Sequence, residues 1–172
     1  MAKLTSSAPP AIAPDDHIHG DGPEAIVYLD LACPHCAATW ARIRELSLRL
    51  CLRHFPMARK HPRAPALHAA AEAAALQRRE AFWGMCDSIY LDHGHLDDPH
   101  LWERAGRLGL DLDRFQVDRR SQAVVKRIRR DFESGIRAGV PSTPTAFVGS
   151  ERIASDVAER LDALAGSRSR HL

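Results

Sequence analysis

Residues 25–36, AIVYLDLACPHC, combine a strand-like run with two closely spaced cysteines and indicate the fold of this chain. Its first part is dominated by β-branched and aliphatic side chains, which is typical of a buried strand in a largely parallel sheet. After Cys36, apolar residues recur at helical spacing with charged residues between them. The sequence therefore predicts a strand over about 24–31 and a helix over about 34–47, with Cys33 at the junction between them.

Cys33 and Cys36 are two thiols separated by two residues at the start of the predicted helix. Unpaired backbone N–H groups and the positive end of the helix dipole favour a thiolate there. Such surroundings lower a cysteine pKa from about 8.5 to roughly 3.5–7.5. The pair therefore predicts disulfide exchange. Half of a zinc site is the alternative, which the absence of a second C-x-x-C or an H-x₃₋₅-H at finger spacing disfavours.

Length, net charge and hydropathy limit the classes of protein to which the chain can belong. A chain of 172 residues can bury a full core as one domain, or as one domain with an insertion. The net charge of +2 gives no electrostatic case for binding nucleic acid or a membrane surface, and no stretch approaches the roughly 20 apolar residues of a membrane helix. Residues 1–14 lack the apolar core of a secretory signal, so we expect a cytoplasmic protein with reduced cysteines.

The order of predicted elements is strand, helix, strand, a long helical region, hairpin and helix. This order predicts an α/β protein with a thioredoxin-like fold and an inserted all-helical subdomain. Near its end, a helix over about 118–138 carries an apolar stripe formed by Val125, Ile128, Phe132 and Ile136. Its basic run at 126–130 is interpreted as the solvated side of the helix. The predicted parts are a flexible leader at 1–15, a thioredoxin-like domain at 16–60 and 138–166, a helical insertion at 61–137 and a disordered tail at 167–172.

Four separated pieces of sequence stand in order along the chain: CPHC at 33–36, HFP at 54–56, FW at 82–83 and GVPSTPTAFV at 139–148. Taken together, they resemble the DsbA-like thiol–disulfide oxidoreductases. The likeness covers about residues 16–165. The Pro34-His35 dipeptide between the cysteines is the one associated with the oxidising branch of that family.

The resemblance implies roles for individual residues. Cys33 is expected to be the exposed nucleophile and Cys36 the buried resolving cysteine, with His35 adding a charge or an N–H donor near Cys33. Pro144 is expected to be a cis-proline facing the dithiol. Thr143 before it would pair its backbone with a bound substrate strand. No cofactor or metal is implied.

One position departs from the family pattern. Members commonly carry a buried Glu or Asp six residues before the nucleophile, where this chain has Val27. The nearest acid is Asp30, predicted to lie on the other face of the strand. Either water or Asp30 would then have to relay the proton of the resolving cysteine, or exchange would be slower.

The remaining titratable residues are interpreted as structural. Cys86 is expected to be a buried inert thiol, and Cys51 a partly packed bystander with a lowered-pKa thiol as the alternative. A bridge between them is not expected. The histidine pairs at 17/19, 54/61 and 93/95 are interpreted as mostly solvated, with His54 the best suited to packing. Trp40 and Trp83 are expected in the core.

The sequence thus predicts an enzyme that exchanges disulfides with protein or small thiols and works with an unidentified redox partner, as a monomer. The alternative is a thioredoxin-fold redox sensor or binding module without turnover, which the apolar Val27 supports. The net direction of exchange stays open, because Pro34-His35 favours an oxidant and a cytoplasmic location favours a reductant.

Overall fold

A computed structural model describes residues 8–168 of the chain. It contains five strands and seven helices within that range. They are β1 (His17–His19), β2 (Glu24–Leu29), α1 (Pro34–Ile43), β3 (Arg49–His54), α2 (Ala64–Gln77), α3 (Ala81–Leu91), α4 (Asp98–Arg107), α5 (Leu112–Asp118), α6 (Gln122–Arg137), β4 (Thr145–Val148), β5 (Glu151–Ile153) and α7 (Val157–Arg168).

The strands form one sheet in the order β1-β3-β2-β4-β5. β2 and β3 are parallel and flank the crossover through α1, whereas β1, β4 and β5 each pair antiparallel with their neighbours. Helices α2 to α6 all lie between β3 and β4 in the chain. This arrangement confirms the predicted α/β, thioredoxin-like fold with helices inserted between its two halves.

Alternation along β2 divides the core between the two faces of the sheet. Val27 and Leu29 belong to the larger cluster, which also contains residues of α1, α2, α3 and α7. Ile26 and Tyr28 belong to a smaller cluster with Phe55, on the face that α6 covers. Cys36 joins the larger cluster, so the dithiol rests on the more extensively buried face.

The contact face of α6 matches the predicted apolar stripe only in part: Phe132 stacks on Phe55, with ring centroids 4.7 Å apart. Val125 and Ile136 are exposed, while Val124, Asp131 and Gly135 are buried. A Cβ built at Gly135 would lie only 2.7 Å from the ring of Phe55, so glycine allows the helix to approach the sheet closely. The helix has turned its small residue inward, and the bulky apolar residues beside it remain partly in solvent.

The basic run of α6 is also not a purely solvated face. The Arg127 and Arg130 side chains, 11 % and 34 % exposed, form ion pairs with Asp15, Asp16 and Asp131. These contacts join α6 to the segment before β1. The predicted leader and tail lie partly outside the described residues, at 1–7 and 169–172. Within residues 8–168, no helix has the length and apolar character needed to cross a membrane.

Candidate active site

Cys33 is the residue that precedes α1, with extended backbone, and Pro34 and His35 occupy the first turn. Proline suits this position because its missing N–H would have no helical partner and its fixed φ fits the helix. The N–H of Ala37 donates to the Cys33 carbonyl at 3.1 Å, so the helix begins directly after the sulfur-bearing residue. The predicted placement of Cys33 at the junction of strand and helix is confirmed.

The Cys33 thiol has a pKa lowered to about 5. The largest cause is a hydrogen bond with the Cys36 side chain, which outweighs burial of Cys33. The backbone N–H of Cys36, the Thr143 side chain and the backbone N–H of His35 lower the pKa further. The thiolate is therefore favoured at neutral pH by groups at the start of a helix, as predicted.

Cys33 is less accessible than expected. Only 3 % of the residue is exposed, so the prediction of an exposed nucleophile is wrong. Its Sγ lies against the loop before β4, 3.8 Å from the carbonyl oxygen of Thr143. A cavity of about 460 Å³ opens beside this point and is lined by His35, Thr143 and Pro144 among others. The sulfur is thus covered by the loop at the edge of a groove.

Cys36 lies one turn further into the protein and is fully buried. Its Sγ accepts the backbone N–H of Asp30 at 3.5 Å. Burial, followed by the neighbouring Cys33 sulfur, raises the Cys36 pKa far above its ordinary value of 9.0. The pair is therefore asymmetric, with one sulfur favoured as thiolate and the other held as thiol, which is the arrangement expected for a nucleophile and its resolving partner.

The Thr143-Pro144 peptide bond is cis, as predicted. Thr143 is buried, and its hydroxyl contacts the sulfur of Met57 at 3.8 Å. β4 begins at Thr145, directly after Pro144, and pairs with β2. This loop therefore connects a central strand directly to the dithiol. Its part in substrate binding stays a prediction.

His35 contributes to the site through its backbone. The residue is exposed, and its effect on Cys33 comes from its N–H group. The imidazole lines the adjacent groove. A role for the ring in tuning Cys33 stays a prediction.

Val27 is fully buried in the same cluster as Cys36, so an apolar side chain occupies the position at which the resemblance would lead one to expect an acid. Asp30 instead joins two loops at the end of β2. Its carboxylate accepts the N–H of Ala32 at 2.9 Å and that of Met57 at 3.0 Å. It also contacts His61 Nδ1 at 2.8 Å.

Burial opposes ionisation of Asp30, but His68, His61 and the backbone donors hold its pKa at about 2. A carboxylate this acidic is ionised throughout the neutral range. Asp30 therefore serves as a fixed anion that orders the active-site loop, and its carboxylate is a weak acceptor for a proton from Cys36.

A buried chain of imidazole and carboxylate groups, which the sequence did not predict, continues from Asp30 into the protein. His68 Nε2 accepts the N–H of Leu31 at 3.1 Å, and His68 Nδ1 lies 2.6 Å from His54 Nδ1. His54 Nε2 and His17 Nε2 each lie 2.6 Å from the same oxygen of Glu72. The interpretation of His17 as solvated is wrong, since it is 6 % exposed, while the packing of His54 is confirmed.

The other two cysteines are structural. Cys51 and Cys86 are fully buried thiols, and burial raises the pKa of each. The alternative of a lowered-pKa thiol at Cys51 is therefore wrong. The two residues belong to different core clusters, in agreement with the expected lack of a bridge between them. Trp40 and Trp83 stack in the core with ring centroids 6.0 Å apart, as predicted.

Comparison with known sequences bears on these assignments. The DSBA-like thioredoxin domain family matches residues 25–167. The chain is 37% identical over 162 residues to the Na(+)/H(+) antiporter NhaA of Herminiimonas arsenicoxydans, and 37% identical over 150 residues to the antiporter NhaA 3 of Salinispora tropica. These alignments cover 88% and 82% of this chain, and 25% and 23% of the antiporters. The chain thus spans about a quarter of the length of these curated relatives.

Solved structures share the fold. A thioredoxin-like oxidoreductase from Silicibacter pomeroyi superposes with a TM-score of 0.77 at 21% identity, covering 93% of this chain and 95% of that one. The thiol-disulfide exchange protein alpha-DsbA2 from Wolbachia pipientis superposes with a TM-score of 0.73 at 18% identity, covering 96% and 89%. At these identities the likeness concerns the backbone architecture.

Proposed function

The chain belongs to the DsbA-like thioredoxin-domain family, and from that premise we propose that it is a dithiol–disulfide oxidoreductase whose redox-active pair is Cys33 and Cys36. The observation that carries the proposal is the asymmetry of the two sulfurs. Cys33 has a pKa near 5 at the start of α1, and the buried Cys36 has a raised pKa directly behind it. Substrates of this chemistry are proteins, peptides or small molecules that carry thiols or disulfides.

The proposed reaction is thiol–disulfide exchange through a mixed disulfide. A substrate thiolate attacks the Cys33 sulfur of the Cys33–Cys36 disulfide, and Cys36 leaves and takes up a proton. A second substrate thiolate then attacks the substrate sulfur of the mixed disulfide, and Cys33 leaves as a stabilised thiolate. The substrate has lost two electrons and the protein has gained them. In the reverse direction, the Cys33 thiolate attacks a substrate disulfide to form a mixed disulfide. Cys36 then attacks the Cys33 sulfur and releases the reduced substrate.

The low pKa of Cys33 supports an oxidising tendency. A stabilised thiolate is a good leaving group and favours the reduced form of the protein, which makes its disulfide a stronger oxidant. The loop containing Thr143 and the cis-bonded Pro144 supplies a buried edge beside the sulfur, and the adjacent groove gives room for an extended substrate segment.

The alternative is a redox sensor or binding module with the same fold, and the buried Val27 favours it. Without a carboxylate at that position, proton exchange at Cys36 relies on water, and turnover is expected to be slow. Such a protein would still cycle between dithiol and disulfide.

Two assays separate the alternatives. We expect the chain to reduce insulin disulfides with a thiol reductant and to oxidise a reduced, unfolded disulfide protein. Cys33→Ser should abolish both activities, whereas Cys51→Ser should retain them. A Cys33–Cys36 pair that cycles readily with glutathione but turns over neither substrate would establish the sensor. The cytoplasmic location, monomeric state and unidentified redox partner stay predictions.

A further inference from the structure

We propose that His17, His54 and Glu72 form a binding site for a divalent transition-metal ion of the zinc class. The three side chains come from β1, β3 and α2, and all three are buried. Their ligand atoms, two imidazole nitrogens and a carboxylate oxygen, lie within 4.8 Å of one another. Two imidazoles and a carboxylate are a donor set that suits zinc and leaves a fourth position open.

The rings are fixed before any ion enters. His17 stacks on Phe82, with centroids 3.6 Å apart and planes 10° from parallel, and His54 meets the same ring edge-on. His54 Nδ1 contacts His68 Nδ1 at 2.6 Å, which leaves its Nε2 directed at Glu72. A histidine ligand usually has its other ring nitrogen bound to a second polar group in this way.

The charge around Glu72 also favours a cation. Within residues 8–168, only the imidazoles of His17 and His54 lie within ion-pair distance of its carboxylate. Buried carboxylates are normally paired with a cation or coordinate a metal, because an unpaired buried charge is strongly unfavourable. A divalent ion between the two rings and the carboxylate would supply the positive charge that compensates Glu72.

The ligand atoms must rearrange to bind an ion: the two His–Glu contacts must open, and the separation of the two imidazole nitrogens, which is at most 4.8 Å, must approach about 3.3 Å. Both His–Glu contacts are 2.6 Å, as in hydrogen bonds. Ligand atoms at about 2.0–2.1 Å from a tetrahedral zinc lie about 3.3 Å apart, so each contact must open by roughly 0.7 Å. Each imidazole must bind the ion through an unprotonated Nε2, so the protons that His17 and His54 donate to Glu72 would move to the Nδ1 atoms, and His54 Nδ1 would donate its proton to His68. The ring of His68 would then carry its proton on Nε2, where Asp30 Oδ1 lies 3.4 Å away as an acceptor, and the Leu31 N–H would lose the acceptor that it has now.

A cavity of about 340 Å³ reaches His17 and Glu72 from the surface. Arg79 and Arg127 also line it, but both have partners. Arg79 donates to the carbonyl of Asp16, and Arg127 pairs with acidic residues of the chain. The cavity therefore provides a route for an ion to the buried cluster.

The test uses the full chain with Cys33→Ser and Cys36→Ser, which removes the dithiol as a competing ligand. We expect this variant to bind one equivalent of Zn²⁺ or Co²⁺ after dialysis. Glu72→Gln and His17→Gln, each added to it, should weaken binding at least tenfold. His19→Gln, two residues along β1 and exposed, is the matched control and should bind as the parent does.

Spectroscopy of the variant with Cys33→Ser and Cys36→Ser identifies the metal ligands even if Glu72→Gln does not fold. X-ray absorption of the zinc form should show only nitrogen and oxygen neighbours with imidazole scattering. The Leu31 amide resonance should shift on zinc binding, because its acceptor changes protonation. Failure to retain metal, sulfur in the first shell, or binding that survives both Glu72→Gln and His17→Gln would overturn the proposal. None of these results depends on oxidoreductase activity.

Discussion

The proposed chemistry of this protein depends first on one sulfur atom, Cys33 Sγ. Cys33 sits where the backbone N–H groups of α1 are unpaired, and the Cys36 thiol donates a hydrogen bond to it. Each of these donors favours the charged form. Burial of the sulfur beneath the Thr143 loop raises the pKa of Cys33, but the hydrogen-bond donors lower it by more. The reactive group is therefore a largely covered thiolate.

The contribution of Cys36 to this thiolate can be measured. Cys36→Ala removes the donor that lowers the Cys33 pKa most, and a hydrogen bond to a charged group is worth about 1.5–3 kcal/mol, or about 1–2 pKa units. We expect the pKa of Cys33 to rise by that amount. Cys36→Ser keeps an O–H donor and should stay nearer to 5. Thiolate absorbance against pH provides the titration, and equal pKa values in the two variants would refute this role for Cys36.

Asp30 makes a separate contribution at the residue scale. Asp30→Ala leaves the buried N–H groups of Ala32 and Met57 without their acceptor, so we expect a loss of about 2–5 kcal/mol in the free energy of unfolding. Asp21→Ala, at an exposed loop position, should change it by less than about 0.5 kcal/mol. Urea denaturation of both variants provides the measurement, and equal effects would contradict the role assigned to Asp30.

The pH dependence of the Asp30 contribution has a defined sign. Its pKa is lowered from an ordinary 3.8 to about 2, so its stabilisation is fully present above about pH 4 and is lost as the pH falls through about 2. The stability difference between the natural chain and Asp30→Ala should therefore narrow between pH 4 and pH 2. A difference that narrows only near neutral pH would indicate that another group is responsible.

At the scale of elements, the close approach of α6 to the sheet depends on Gly135. Alanine there gains up to about 1 kcal/mol in helix propensity, but its Cβ would collide with the buried Phe55 ring. Overpacking of this kind typically costs about 1–3 kcal/mol, so we expect Gly135→Ala to be net destabilising.

Gly106 provides the matched control for Gly135. It lies in α4 with no atom within 4 Å of an added Cβ, so Gly106→Ala should stabilise the protein by about 0.5–1 kcal/mol. Thermal unfolding of the two variants gives the comparison. If Gly135→Ala stabilised the protein as much as Gly106→Ala, the proposed packing of α6 on the sheet would be wrong.

At the scale of the whole molecule, the dithiol site was predictable because its signals are local. The strand, Pro34 and the Cys33–Cys36 spacing follow one another within one short stretch of sequence, whereas the cis-bonded Pro144 was predicted from the resemblance to the DsbA-like family. The buried histidine chain was not predictable from the sequence, because His17, His54 and Glu72 come from three separate elements. One signal was present: Glu72 is the single acid within the alanines of α2, which are buried almost all round the helix. Likewise, the buried face of α6 was not predicted, because Gly135, the residue at its close approach to the sheet, has no apolar side chain to mark it.

Ionisation of Cys33 also links the redox state to overall stability. Its pKa is lowered from 9.0 to about 5, so the stabilisation of the reduced form is fully present above about pH 9 and is lost as the pH falls through about 5. We expect the melting temperature of the reduced protein, relative to the oxidised protein, to increase between pH 4 and pH 7. Calorimetry of both forms tests this, and a constant difference would argue against a stabilised thiolate.

The most direct test of the account is the reduction potential of the Cys33–Cys36 couple, measured by equilibration with glutathione. A thiolate held at a pKa of about 5 predicts an oxidising couple, between about −180 and −120 mV, the range from protein disulfide isomerase to DsbA. A potential near the roughly −270 mV of thioredoxin, or no disulfide between these two cysteines, would contradict it.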